Sequence, residues 1–194
     1  MIGLGHWYSA YGLARALAEY PRGKLIGVTD THPGHLRAFS RTFGVHAYLT
    51  IADLLARDDL DLVHICPPVA EIPAATIAAA DAGKHVILGK PMAMNLEQAD
   101  AMVAAVRRAQ VTCVPFQGMF RLADAPMRKR IDAGEIGEIA VMHATGRWSI
   151  AEDWLRSGKP GWFADPAQVP PGGGRSSTRG STTSTACAGS PDRK

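Results

Sequence analysis

Short apolar runs alternate with stretches whose apolar side chains recur at helical spacing, and this alternation admits few folds. The runs are 25–29, 45–48, 62–66, 86–88 and 111–114, with Met1-Ile2 as the last residues of a first one. The helical stretches are 9–19, 33–43, 51–56, 72–82 and 96–109. A strand, a helix and a strand parallel to the first must cross over one face of the sheet. The expected fold class is therefore α/β, a Rossmann-type doubly wound parallel sheet over residues 1–115. Local punctuation agrees. Pro21 with Gly23 stops the first helix, Gly44 the second and Gly83 the fourth, while Pro67-Pro68 cut the strand at 62–66. Asn95 caps the last helix, with Gln98 in the reciprocal capping position. The alanine-rich 72–82 helix suits close packing on a sheet, with Ile77 on its inner face. A buried first strand normally runs about five residues, so the short Met1-Ile2 run places the expected natural start upstream.

From Pro115 onward the rhythm changes. The spacing predicts a helix over 119–133, a turn bracketed by Gly134 and Gly137, and a strand over 139–145 with Trp148 that begins a different sheet. Trp148, Trp154, Trp162 and Phe163 concentrate the large aromatics here, as the core or cleft wall of a second domain requires. Residues 116–174 are thus read as the start of an incomplete second domain of the α+β class. Residues 175–185 contain no apolar side chain, and 175–194 are expected to be a disordered tail.

Composition narrows the partners. Charged residues make up 20% and apolar residues 46%, and the net charge is only +3, spread along the chain except near its C-terminal end. This balance argues against nucleic acid and against a membrane surface, and the basic tail has no aromatic side chain to stack on bases. No apolar stretch reaches the roughly 18 residues of a spanning helix, so the expected compartment is the cytoplasm. Cys66, Cys113 and Cys187 share no metal spacing and read as reduced thiols. His32 and His35 have no second cluster beside them, so no metal site is expected.

Gly3-x-Gly5, followed by His6 and Trp7, lies between a strand end and a helix start, where backbone N–H groups can hold a pyrophosphate. Tyr8 stands where the usual pattern has a third glycine, but the small residues Ser9 and Ala10 follow at once. Asp30 ends the next strand, at the separation expected of a carboxylate that reads a ribose diol. Such a carboxylate repels a 2′-phosphate and favours NAD over NADP; Arg37 or Arg41 facing the adenosine phosphate would reverse that preference. Pro67 and Pro68 end one central strand. Lys90 and Pro91 leave the C-terminal end of its neighbour, the edge where open α/β sheets place ligands. The candidate cofactor-binding set is Gly3, Gly5, His6, Trp7, Asp30, Pro67, Pro68, Lys90 and Pro91.

At Gly83-Lys84-His85-Val86 and Lys90-Pro91, together with the glycine turn and Asp30, the sequence resembles the Gfo/Idh/MocA oxidoreductases. The similarity covers roughly residues 1–174, and Gly134-Glu135-Ile136-Gly137-Glu138-Ile139 resembles the family's entry into its second domain. The resemblance implies NAD-dependent hydride transfer to or from a hydroxyl-bearing carbon of a sugar, polyol or related compound, in a homo-oligomer. It assigns Lys90 the catalytic role of hydrogen-bonding the reacting oxygen and stabilising developing charge. Two departures stand out. Gly89 replaces the family's glutamate before Lys-Pro, and Pro67-Pro68-Val69 with Ile72 replace a Thr-Pro-Asn and a histidine.

The family's acid–base histidine and aspartate are expected on a helix after Gly172-Gly173-Gly174. Back-translated with one permitted choice of codons and read one base earlier, 175–185 yields Ala-Leu-Ile-Asp-Glu-Gly-Ile-His-Tyr-Ile-Asp, which matches that helix. The expectation is a truncated chain with a one-base frameshift near Pro170-Pro171-Gly172, leaving Thr178 and Thr182 where the aspartate and histidine belonged and little or no turnover. The rival readings are a non-catalytic NAD-binding regulatory module and a non-functional fragment.

Overall fold

A computed structural model describes residues 1–115, 124–147, 165 and 181–187. Strand β1 (Gly27–Thr29) pairs in parallel with β2 (His46–Tyr48), and β3 (Leu62–Ile65), β4 (His85–Leu88) and β5 (Cys113–Pro115) pair in parallel in that order. Ile2 joins the two groups, bridging Thr29 on one side and Ile65 on the other, both in parallel. Its N–H donates to the His64 carbonyl at 2.9 Å and its carbonyl accepts from the Cys66 N–H at 2.7 Å, while the Gly3 N–H donates to the Thr29 carbonyl at 2.7 Å. The sheet order is β2-β1-Ile2-β3-β4-β5, so the chain winds outward from Ile2 in both directions. A crevice opens at such a reversal, beyond the carboxyl ends of the strands.

Helices α1 (Trp7–Glu19) and α2 (Pro33–Phe43) share one layer, and α3 (Ile51–Leu55), α4 (Ile72–Asp81) and α5 (Leu96–Ala109) another. The strand period of two sorts the core between them. Val63 and Ile65 face Leu54, Ile72, Leu88 and Met102, whereas Cys66 joins Leu4, Ala10, Val28 and Phe39 on the other side. On α4 the inner face is carried by Ile72, Ala75, Thr76 and Ala79, with Ile77 half-buried at its border. The small side chains let α4 lie close to β3 and β4. Asn95 caps α5 by accepting from the Gln98 N–H at 2.9 Å, while the Gln98 side chain reaches back to the Met94 N–H at 3.0 Å. The reciprocal bond therefore falls one residue earlier than the capping-box pattern.

Further along, α6 (Asp124–Asp132) occupies the C-terminal part of the helix expected over 119–133, and β6 (Val141–Arg147) takes the place of the strand expected over 139–145. Trp148, Trp154, Trp162, Phe163, Gly172 to Gly174 and Thr178 lie outside the described residues. Within the tail read as disordered, β7 (Ser181–Cys187) pairs antiparallel with β6, from Val141 opposite Cys187 to Arg147 opposite Ser181. The absence of apolar side chains excludes a core layer but not a backbone ladder, and Thr182, Thr183 and Thr185 are β-branched residues that suit a strand. Among the described residues no helix is long and apolar enough to cross a membrane.

Candidate nucleotide-binding site

The turn at Gly3 to His6 is built by contact with a loop more than sixty residues away. Gly3 has φ +74°, and a Cβ there would lie 2.5 Å from the Pro67 backbone nitrogen. A Cβ on Gly5 would lie 2.7 Å from the Pro68 nitrogen. Both glycines therefore let two backbones meet, and Pro67-Pro68 is the surface that they meet. The Leu4 N–H, between them, donates to Asp30 Oδ2 at 2.6 Å, and the His32 N–H donates to Asp30 Oδ1 at 2.7 Å. Each carboxylate oxygen keeps acceptor capacity beyond that one bond, so Asp30 closes the turn and still has a place for a ribose hydroxyl.

Beneath the turn lies a buried polar layer. His6, only 1% exposed, places Nδ1 2.8 Å from the Pro67 carbonyl, and facing that acceptor the nitrogen is the donor. Burial, and then the nearby Lys90 charge, hold this imidazole below its ordinary pKa despite the Pro67 hydrogen bond. His64 Nε2 lies 3.2 Å from Ser9 Oγ and 3.3 Å from Cys66 Sγ. Burial pushes the Cys66 thiol up to about 12, so it is an uncharged packing group at neutral pH. Helix α1 presses Ala10 and Ala14, both buried, toward the sheet, so these small residues provide the close approach for which Tyr8 is too large.

Between the glycine turn and the loops after β1 and β3 lies a cleft of about 970 Å³. Gly3, Gly5, Asp30, Pro67 and Pro68 line it on one side. Ala74 and Ala78 of α4, with Leu49 at 85% exposure, supply an apolar wall for a flat aromatic ring. The charged side chains among its described lining residues are Asp30 and Glu71. Arg37 and Arg41 are exposed on α2 and do not line it. The sequence reading did not select Leu49 or Glu71. Leu49 had a readable signal, an apolar residue directly before the Thr50 helix cap, but Glu71 in its loop had none.

Lys90 is exposed beyond the end of β4, on the His6 side of the turn and not among the residues lining the cleft. The Lys90–Pro91 bond is cis. At Gly89, where the resemblance leads one to expect glutamate, a Cβ would meet nothing within 4 Å. The structure thus gathers Gly3, Gly5, Asp30, Pro67 and Pro68 around the cleft, puts His6 under the turn and Trp7 at the first position of α1, and sets Lys90-Pro91 to one side. Backbone donors at a helix start, a strand-end carboxylate and two backbone-tight glycines fit a dinucleotide.

Comparison with known proteins agrees with this geometry. The chain is 32% identical to scyllo-inositol 2-dehydrogenase (NAD(+)) of Bacillus subtilis over 142 residues, which is 71% of this chain and 41% of that protein. It is 30% identical to myo-inositol 2-dehydrogenase of Thermotoga maritima over 151 residues, 76% of this chain and 44% of that one. Among solved structures, the WlbA dehydrogenase of Bordetella pertussis in complex with NADH and UDP-GlcNAcA superposes with a TM-score of 0.71 at 26% identity, covering 80% of this chain and 45% of that one. The chain spans about two fifths of the length of the curated relatives that it matches. The family model described as "oxidoreductase family, NAD-binding Rossmann fold" matches residues 1–116, and the chain belongs to that Gfo/Idh/MocA family.

Proposed function

We propose that this chain binds NAD, and that the site serves hydride transfer involving a hydroxyl- or keto-bearing carbon of a sugar, polyol or related small molecule. The observation that carries this reading is the closed turn. Gly3 and Gly5 abut Pro67-Pro68, and the Leu4 N–H is tied to Asp30 at the mouth of the cleft. Gly3, Gly5 and the start of α1 would hold the pyrophosphate and Asp30 the adenosine ribose. When bound, the nicotinamide supplies the hydride acceptor or donor. Lys90, a cation beside a buried neutral imidazole, would donate a hydrogen bond to the substrate oxygen and stabilise charge developing there.

Calorimetric titration with NAD tests the binding step. Saturation below about 1 mM is expected, and no saturation there overturns the reading. Turnover is then measured with inositols and aldoses as probes. Lys90→Met is expected to lower kcat about 10²-fold, and a kcat within twofold of the parent removes Lys90 from the chemistry. A non-catalytic NAD-binding module is the second reading, favoured by Gly89 at the family's glutamate position. Saturable binding without turnover of any probe supports it.

A further inference from the structure

We propose that Glu71 is a second specificity-determining carboxylate, facing the same cleft as Asp30, and that the two together exclude the 2′-phosphate of NADP. This rests on the NAD-binding reading above. Glu71 ends the short 3-10 turn Val69–Glu71 that leads from Pro68 into α4, so the loop that packs against the two glycines also brings this side chain to the cleft. Its backbone is fixed, since the Glu71 N–H donates to the Pro68 carbonyl at 2.9 Å. Asp30 comes to the same cleft from the end of β1, on the opposite side of the Ile2 position.

The two carboxylates differ in what already holds them. Asp30 takes one backbone N–H on each oxygen. Among the described residues, none donates a hydrogen bond to the Glu71 carboxylate, and none forms an ion pair with it. Partial burial, and then the Asp30 charge, raise its carboxyl above the ordinary range, as expected of two like charges that share one cleft. No described lysine, arginine or histidine lines that cleft to offset them. A ribose diol offers hydroxyl donors to carboxylate acceptors, whereas a dianionic 2′-phosphate offers only further negative charge to both. Removing Asp30 alone therefore leaves one repelling group in place.

The test measures dissociation constants for NAD and NADP by calorimetry, at fixed ionic strength, on the parent chain and on Asp30→Ser, Glu71→Gln and the double variant. Glu71→Gln is expected to raise NADP affinity relative to NAD about tenfold. Asp30→Ser alone should leave a preference for NAD that the double variant loses. A NADP/NAD ratio unchanged within twofold by Glu71→Gln, in both the parent and the Asp30→Ser backgrounds, overturns the role of Glu71 while leaving NAD binding intact. A parent chain that binds neither dinucleotide overturns the underlying reading and this proposal with it. Circular dichroism of each variant distinguishes lost folding from changed selectivity, and if Glu71→Gln unfolds, Glu71→Ala supplies the same comparison.

Discussion

Gly3→Ala is expected to destabilise the fold by about 3 kcal/mol or more, the sum of left-handed backbone strain and overpacking. The second contribution dominates the argument. The new Cβ meets the Pro67 nitrogen at 2.5 Å and its Cα at 2.6 Å, and backbone atoms of a proline have no rotamer by which to yield. Gly83 is the control, with φ +72° and nothing within 4 Å of its Cβ. Gly83→Ala should pay only the conformational strain, about 1 kcal/mol. Urea denaturation followed by circular dichroism compares the two. Equal midpoints for both variants would show that the turn and the Pro67-Pro68 loop do not close on each other as the structure has them.

Acid should unfold the chain through its buried imidazoles. Burial first, then a nearby amino-terminal ammonium and His6, hold His64 down at about 4, against an ordinary 6.5. The folded state keeps the ring neutral while the unfolded chain protonates it, so the unfolded state binds more protons between those values. Stability is fully present above pH 6.5 and is lost as pH falls toward 4, by about 3 kcal/mol for this ring. His6, also lowered by burial, acts in the same direction. Denaturation midpoints at pH 7.5 and pH 4.5 measure the loss, and His64→Gln should remove this ring's share of it. A variant with the parent's full pH dependence would place the acid sensitivity elsewhere.

Both expectations concern the layer beneath the turn, where short-range patterns were least informative. The helices were readable because their signals sit within a few residues of one another. Pro33 and Gly44 delimit α2, Asn95 and Gln98 open α5, and alanine spacing marks the buried face of α4. The strand-then-helix order was enough for the doubly wound sheet. Strand β7 carries no apolar pattern to read, because hydrogen-bonded pairing with β6 requires only backbone.

The candidate site divides along the same line. Gly3, Gly5 and Asp30 could be proposed as a phosphate turn and a ribose carboxylate because such a pair has a characteristic spacing along the chain. That Gly3 faces Pro67, that Leu4 donates to Asp30 and that Glu71 joins Asp30 at one cleft depend on segments between 26 and 64 residues apart meeting. Helix ends and strand runs are set by torsional preference and by apolar periodicity among near neighbours. The cleft is set by which loops the sheet order brings together at Ile2, and no residue along the way records that meeting.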